Sequence, residues 1–210
     1  MAQHFRLHPD DPQPRLIAQA AEMMRKGALA AFPTDSAYAL GGHLGDAALL
    51  DRIRRLRGVD DRHLFTLMCR DLSEIATYAR VDNAQYRVLK SATPGSYTFI
   101  LEGTKELPRR VLHPKRKTIG LRVPDHPVVL ALLAELNEPI LSSTLILQGD
   151  EEPLCDPDEI HERLDKQVDL IIDTGPCSGG MTTIVNLVGG GIELVRAGRG
   201  PLDPLGLSVD

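Results

Sequence analysis

A run of small polar residues follows the first apolar stretch that predicts a strand. Residues 28–33 are apolar and end in proline, and residues 34–38 (TDSAY) carry hydroxyl and carboxylate groups. In α/β proteins ligands commonly bind at the carboxyl ends of strands, so Thr34 and its neighbours are candidates for ligand contact. Gly41 and Gly42 follow, and they would let the backbone approach that ligand closely. The competing interpretation is a polar turn, because Asp and Ser favour turns.

Two basic segments stand out in a chain whose formal net charge is −5. Residues 51–63 and 105–122 hold half of the 24 lysines and arginines. Arg57 ends a predicted helix, where it would contact a phosphate or pair with the helix dipole. Arg122 lies in a predicted strand, which is costly unless a ligand or an acidic partner neutralises its charge. If the segments meet in the fold, they form a local anion site, which favours a phosphate-bearing ligand over a general nucleic-acid coat.

Further polar residues lie at the ends of later predicted strands. Residues 139–144 (PILSST) carry three hydroxyls, Thr182 begins one strand, and Arg196 ends the next. Each is either a ligand contact or ordinary polarity at a strand end, and the residues alone leave both interpretations open.

Composition and missing motifs disfavour several classes of protein. Hydrophobic residues make up 42% of the chain and charged residues 25%, which is typical of a soluble globular domain. No apolar run predicts a membrane helix or a signal peptide. Three cysteines without a C-x-x-C motif predict neither a disulfide framework nor a zinc site and fit a reducing cytoplasm. The signatures of P-loops, dinucleotide-binding folds, zinc proteases and serine hydrolases are not found.

The spacing of apolar residues predicts helices that alternate with strands. The predicted helices cover 14–26, 46–57, 82–91, 127–136 and 157–166. The predicted strands cover 28–33, 64–69, 96–101, 118–123, 139–147, 168–173, 182–188 and 192–197. This order indicates an α/β domain with helices packed on a sheet. Because no helix separates the last two strands, we expect a mixed sheet and a closing hairpin around Gly189–Gly191.

Taken in order, these segments resemble the YrdC-like domain. The motifs that carry the resemblance are PTDSAYALGG (33–42), TPGSYTFIL (93–101), KTIGLRVPDHP (117–127), PILSST (139–144) and TTIVNL to VRAGRG (182–200). The resemblance covers residues 15–200 and leaves 1–14 and 201–210 as terminal extensions. Residues 65–74, 81–90 and 115–124 are most similar to the YciO branch of the family.

The resemblance implies a single-domain twisted mixed sheet with flanking helices and a basic concave groove. Active members of the family join L-threonine, bicarbonate and ATP into threonylcarbamoyl-AMP and release pyrophosphate, which serves the threonylcarbamoyladenosine modification of tRNA. It therefore implies ATP as a substrate together with Mg²⁺, and tRNA or double-stranded RNA as a further partner. Such chemistry depends on positioning and on cations that stabilise phosphates, so no single catalytic residue and no metal ligand is predicted.

The resemblance also implies two groups of site residues. The expected threonine contacts are Thr34, Arg122 and Thr182. The expected nucleotide contacts are Arg57, Lys117, Ser142, Thr144 and Arg196. Lys117 is included because it lies in the basic loop that precedes the predicted strand 118–123.

Departures from the family's motifs weaken the prediction of a synthase. The arginine of the family's Lys-x-Arg motif is Val59 here, the asparagine of its Ser-x-Asn motif is Ile146, and a histidine of strand 64–69 is Met68. A hydrogen bond to a charged group contributes roughly 1.5–3 kcal/mol. The loss of the two polar contacts at positions 59 and 146 therefore predicts an activity that is lower by roughly two decades or more. The alternatives left open are a non-catalytic protein that binds double-stranded RNA or tRNA, and a hydrolase of a related adenylate.

Overall fold

A ten-stranded mixed sheet is the frame of residues 1–208, the part of the chain that this computed structural model describes. In chain order its strands are β1 (Gln3–Arg6), β2 (Ala30–Phe32), β3 (Ala39–His43), β4 (Thr66–Met68), β5 (Tyr97–Glu102), β6 (Thr118–Arg122), β7 (Ile140–Thr144), β8 (Leu170–Asp173), β9 (Thr183–Asn186) and β10 (Glu193–Arg196). Across the sheet the order is β1-β8-β2-β3-β7-β4-β6-β5-β9-β10. The sheet contains both parallel pairs, such as β4 with β6, and antiparallel pairs, such as β5 with β6. The predicted single α/β domain with a mixed sheet is confirmed.

Six helices flank the sheet within the described residues: α1 (Pro14–Arg25), α2 (Ala47–Arg57), α3 (Leu72–Tyr78), α4 (Asn83–Ala92), α5 (Pro127–Leu136) and α6 (Pro157–Leu164). The limits of α2 follow from its sequence. The Asp46 side chain accepts a hydrogen bond from the N–H of Ala48 at its start, and Gly58 ends it with a φ of 64°. Arg57 is therefore the last helical residue. No helix within residues 1–208 has the length and apolarity needed to cross a membrane.

The two faces of the sheet carry different cores, because side chains alternate along each strand. Leu67 of β4 and Leu141 of β7 belong to the larger core, which includes residues of α2, α4 and α6. Met68 and Ile140 belong to the second core, which includes the buried sides of α1 and α5. The sheet is thus covered on both faces.

Polar residues continue the face of the second core. Thr66 lies opposite both Ser142 and Gly120, so the three share one face, and Arg122 lies two residues beyond Gly120 on that face. A Cβ on Gly120 would lie 2.9 Å from the Thr98 methyl carbon and 3.1 Å from the Thr66 hydroxyl. Because Gly120 has no side chain, the Thr98 and Thr66 side chains can lie close to its backbone on this polar part of the sheet.

Three elements differ from those predicted. No element is predicted within residues 1–13, which contain β1, and this strand pairs in parallel with β8. The periodicity does not predict α3, and β3 occupies residues that were expected to form a ligand-binding turn. The hairpin of β9 and β10 is confirmed.

The role of Gly41 and Gly42 in ligand approach stays a prediction, whereas a role in packing is visible in the structure. Both glycines lie inside β3, and neither is among the residues that line the arginine-containing cavity described below. A Cβ on Gly41 would lie 2.7 Å from the carbonyl oxygen of Leu141 and 3.0 Å from the ring of Phe32. These glycines allow close packing of neighbouring strands.

Replacing Gly41 tests this packing. Gly41→Ala is expected to lower the free energy of unfolding by about 1–3 kcal/mol, because its methyl group overlaps strand backbone that cannot move away easily. Gly191→Ala is the matched control, since a Cβ at that exposed position has no neighbour within 4 Å. Urea denaturation of both variants measures the difference, and equal stabilities would contradict the packing role.

Candidate functional site

One cavity of about 140 Å³ collects nearly all of the predicted site residues. They come from β6, β7, β10, the end of α2 and the loops after β2 and before β9, so segments distant in sequence meet here. Among the described residues that line the cavity there is no Asp or Glu. The predicted residues that line it are Thr34, Arg57, Arg122, Ser142, Thr144, Thr182 and Arg196.

Lys117 lies outside this cavity. Its Nζ donates to the carbonyl of Pro114 at 2.7 Å, and residues 114–117 are exposed. Lys117 precedes β6, whereas Arg122 ends it, so the two backbones lie roughly 16 Å apart. Of the two basic segments, Arg57 and Arg122 reach the cavity, and the loop before β6 forms a separate basic surface.

Arg122 is a buried cation with spare hydrogen-bonding capacity. The residue is 5% exposed, and its Nη2 forms an ion pair with Oδ1 of Asp35. Burial lowers the pKa of Arg122, and the charge of Asp35 raises it. The Nε atom is buried and has no hydrogen-bond partner within the described residues. Because an unsatisfied buried donor costs about 1–3 kcal/mol, a ligand oxygen at this group would be strongly favoured.

Asp35 is held in place by two further donors. Its Oδ2 accepts hydrogen bonds from the Ser96 hydroxyl at 3.1 Å and from the N–H of Asp125 at 3.2 Å. The loop after β2 is thereby tied to the segment before β5 and to the segment before α5. The two interpretations of Arg122, a salt bridge and a ligand contact, are therefore compatible with each other.

Arg57 forms a cluster with His63 and Ser143. Its Nη1 lies 2.5 Å from the Ser143 hydroxyl and 2.8 Å from Nε2 of His63, and its Nε donates to the carbonyl of Ile146 at 3.4 Å. A guanidinium only donates, so Nε2 of His63 accepts and the neutral ring carries its proton on Nδ1. Burial, together with the charges of Arg57 and Arg54, lowers the pKa of His63 to about 4. His63 is therefore neutral at pH 7.

Arg196 adds a second guanidinium close to Arg57. Its Nε and Nη2 donate to the carbonyl of Thr182 at 3.2 and 2.9 Å, and its Nη1 lies 3.2 Å from the sulfur of Met181. Burial lowers the pKa of both arginines, and the charge of Arg196 lowers the pKa of Arg57 further. An anion in the cavity would relieve this repulsion.

Most of the predicted hydroxyls are bonded within the protein. Ser142 donates to the carbonyl of Thr66 at 2.9 Å, and the hydroxyl oxygens of Thr182 and Thr98 lie 2.9 Å apart. The hydroxyl of Thr34 donates to a carbonyl of its own loop at 2.7 Å. These residues shape the cavity wall, while the arginines supply its charge.

Apolar side chains complete the wall, and they include two of the departures from the family's motifs. Met68 and Ile146 line the cavity, next to Met181 and Ile184. Val59 does not line the cavity. Its N–H donates to the carbonyl of Arg54 at 3.1 Å, directly after the end of α2. The aliphatic replacement at position 146 therefore changes the wall directly.

The cavity wall also includes residues that were not named among the expected threonine and nucleotide contacts, and Ser143, His63 and Thr98 are three of them. Ser143 lies between two residues of the predicted hydroxyl segment, but its side chain alternates to the opposite face and contacts Arg57. His63 ends the basic segment 51–63, and only its position after the Arg-rich helix could have drawn attention to it. Thr98 could have been found from the alternation of the strand that carries it.

The donor groups of this site do not suit a protein-bound Mg²⁺. Within residues 1–208 no three His, Cys, Asp or Glu side chains come together as metal ligands. Mg²⁺ prefers carboxylate, phosphate and water oxygens, whereas this cavity offers guanidinium and hydroxyl groups. An ion that accompanies ATP would be held by the phosphates, and we assign it no protein ligand.

Together these features define a single-domain α/β protein whose mixed sheet carries an arginine-lined cavity. The model of the Sua5, YciO and YrdC family, described as "Telomere recombination", matches residues 22–198. The chain is 53% identical over 204 residues to the uncharacterized protein YciO of Escherichia coli strain K12, and the match covers 97% of this chain and 99% of that protein. The protein therefore belongs to the Sua5/YciO/YrdC family, in its YciO branch.

Solved structures support the same assignment. The crystal structure of E. coli YciO superposes with a TM-score of 0.94 over 97% of this chain and 99% of that chain. Sua5 of P. abyssi complexed with L-threonine shares the fold, with a TM-score of 0.89 at 23% identity over 97% of this chain and 60% of that chain. The threonylcarbamoyl-AMP synthase of Bacillus subtilis is 29% identical over 180 residues, covering 85% of this chain and 51% of that protein. Synthases are thus distant relatives.

The buried ion pair can be tested by a double-mutant cycle. Asp35→Ala is expected to lower the free energy of unfolding by about 3–5 kcal/mol, because it leaves the Arg122 charge buried without a partner. The double variant Asp35→Ala, Arg122→Met removes both charges and should lose less than the sum of the single losses. Urea denaturation of the four proteins measures the coupling, and strictly additive losses would argue against the pair.

Proposed function

We propose that the protein is an adenylate-forming enzyme of the threonylcarbamoyl-AMP type, with L-threonine, bicarbonate and ATP as substrates. The observation that carries this proposal is the meeting of three desolvated arginines, Arg57, Arg122 and Arg196, at one cavity without an acidic lining residue. A ligand with both a carboxylate and phosphate groups would neutralise this charge. Kinship with threonylcarbamoyl-AMP synthases and with Sua5 complexed with L-threonine supports the same ligand.

In this proposal Arg122 binds the carboxylate of threonine. Its guanidinium is fixed by Asp35 and keeps an unpaired Nε, and arginine suits carboxylates because its planar donors match two oxygens. Thr34 and Thr182, whose hydroxyls are already bonded within the protein, shape the space around the amino acid.

Arg57 and Arg196 bind the phosphates in the same proposal. Each keeps hydrogen-bond donors beyond those its protein partners use, and each has a pKa lowered by burial. Ser142 and Thr144 line the same cavity and flank Ser143, the β7 residue that contacts Arg57, so we assign them to the nucleotide as well. The enclosed volume of about 140 Å³ is below the several hundred Å³ usual for drug-sized ligands, so part of the nucleotide lies outside it.

The reaction asks for positioning and charge stabilisation. The threonine amine and bicarbonate form a carbamate with loss of water. An oxygen of the carbamate then attacks the α-phosphorus of ATP, and the bond from that phosphorus to the departing pyrophosphate breaks. Arg57 and Arg196 would stabilise the negative charge that grows on pyrophosphate, and Arg122 would hold the attacking molecule in line.

One observation favours a second candidate, hydrolysis of a related adenylate. The Ser143 hydroxyl lies 2.9 Å from Nε2 of His63, which is the separation of a serine nucleophile and its base. The lowered pKa of His63, about 4, makes it a weak base at neutral pH, and Arg57 already donates to the same nitrogen. We therefore place synthesis first.

The proposal predicts that the protein forms threonylcarbamoyl-AMP and pyrophosphate from threonine, bicarbonate and ATP. Arg196→Gln should lower kcat/KM about ten- to a hundredfold, because it removes a charged contact worth roughly 1.5–3 kcal/mol. Mass spectrometry of the adenylate, together with a pyrophosphate assay, gives both rates.

Arg55→Gln is the matched control, since it removes an equal charge from an exposed position on α2 outside the cavity and should leave the rate unchanged. Absence of adenylate from the folded wild-type protein would overturn the synthase proposal. Release of AMP from added threonylcarbamoyl-AMP, lost in Ser143→Ala, would support hydrolysis instead, and retention of double-stranded RNA without either reaction would favour an RNA-binding protein.

The aliphatic wall gives a further prediction. Ile146→Asn should raise adenylate formation about fivefold, because one added hydrogen bond to a ligand contributes roughly 1 kcal/mol. Val59→Arg alone should raise it less, since Val59 does not line the cavity. Both variants are assayed after a cooperative thermal melt shows that they are folded, and an unchanged rate in Ile146→Asn would show that this position does not limit the reaction.

A further inference from the structure

The chain lacks the arginine that the family's Lys-x-Arg motif would place at position 59, close to Arg57. Val59 occupies that position and stays outside the cavity. His63 instead lines the cavity beside Arg57, with its Nε2 2.8 Å from Nη1 of Arg57 and 2.9 Å from the hydroxyl of Ser143. A histidine is the one side chain whose ordinary pKa lets it gain a charge near neutral pH.

We propose that His63 is an additional, proton-coupled cation of this site: it is neutral in the free protein and takes up a proton when a doubly charged tetrahedral anion, such as a phosphate group, binds beside Arg57. This inference rests on the proposed anion-binding role of Arg57 and adds a titratable residue to that role. It requires that the same nitrogen that now accepts from Arg57 becomes a donor to the anion.

The hydrogen bonds at His63 make such a change self-consistent. In the neutral state Nε2 accepts from Arg57, which ties one guanidinium donor to the protein. Once Nε2 is protonated, both groups are donors, so their mutual hydrogen bond ends and Nη1 of Arg57 becomes available to the anion. The Ser143 hydroxyl, within reach of both, accepts from either. Proton uptake would thus free Nη1 of Arg57 as a donor and make Nε2 of His63 a second donor, and both would be available to the anion.

The charged groups around His63 explain why it is neutral beforehand. Arg57 and Arg54, both on α2, lower its pKa, and Asp60 in the following turn raises it by less. Arg196, on β10, acts on Arg57 from the other side. The ring edge of Phe65, with its centroid 5.3 Å away, adds no charge. Burial and the charges of Arg57 and Arg54 therefore keep the proton off His63 until an anion offsets them.

The sign of the pH dependence follows from this arrangement. An anion raises the pKa of His63 in the complex above its value of about 4 in the free protein. The complex therefore binds more protons than the free protein between the two values. Affinity is highest at low pH and falls as the pH rises through the pKa of the complex.

Sulfate is the appropriate probe, because it has the shape of phosphate and stays a dianion from pH 5 to pH 8. Its dissociation constant is measured by calorimetry at intervals of one pH unit on the full chain, and proton uptake is counted at pH 6 in buffers of different ionisation enthalpy. We expect sulfate to bind on the order of tenfold more tightly at pH 5 than at pH 8, with net proton uptake. His63→Gln should retain binding and lose both effects.

His8→Gln is the matched control, because His8 is exposed and does not line the cavity, and it should keep the pH dependence. Histidine ring titration by NMR, with and without sulfate, tests the wild-type protein directly in case His63→Gln does not fold. Sulfate binding that is independent of pH, or equally pH-dependent in His63→Gln, would overturn the role of His63 and leave the anion site intact. Absence of sulfate binding at every pH would overturn both.

Discussion

The burial of guanidinium groups is the constraint on which this site depends. Arg122 is removed from water on the sheet, and a charge in that position is tolerated only with a partner. Asp35 is that partner, and its second oxygen is occupied by Ser96 and the backbone of Asp125. One carboxylate thus connects the loop after β2, the start of β5, the end of β6 and the approach to α5. The geometry of the cavity follows from this network.

The sheet face below the cavity shows how packing and chemistry share one surface. Helices α1 and α5 cover Met68 and Ile140 with an apolar core, and the polar residues begin two positions away on the same strands. Gly120 keeps the neighbouring threonines close, and hydroxyl groups bond to backbone or to one another. Most of the hydroxyl groups of the cavity wall therefore already have hydrogen-bond partners within the protein. The arginines are left as the groups whose positive charge an anion would neutralise.

Kinship and geometry bear on function in different ways. Membership in the Sua5/YciO/YrdC family rests on identity over nearly the whole chain, and the relation to synthases is more distant. The arginine cavity is compatible with a carboxylate and phosphate ligand, and this is what supports the proposed adenylate chemistry. Ile146 and Met68 make the wall more apolar than the family's motifs imply, whereas His63 adds a titratable group. This chain thus combines the fold of its family with a cavity wall that departs from the family's motifs.

The sequence by itself determined the α/β class, most helices and strands, and seven residues of the cavity, because periodicity and motif order are local properties of a chain. It did not determine β3, since a short strand rich in glycine carries turn-like residues and becomes a strand only between β2 and β7. It predicted Lys117 as a site residue on the basis of charge, but Lys117 lies before β6, whereas the cavity lies at the Arg122 end of that strand. Charge alone does not show which end of a strand faces a ligand. The partnership of Arg122 with Asp35 and of Arg57 with His63 was decided by the tertiary structure, since hydrogen bonds between residues distant in sequence depend on which surfaces the fold brings together and removes from water.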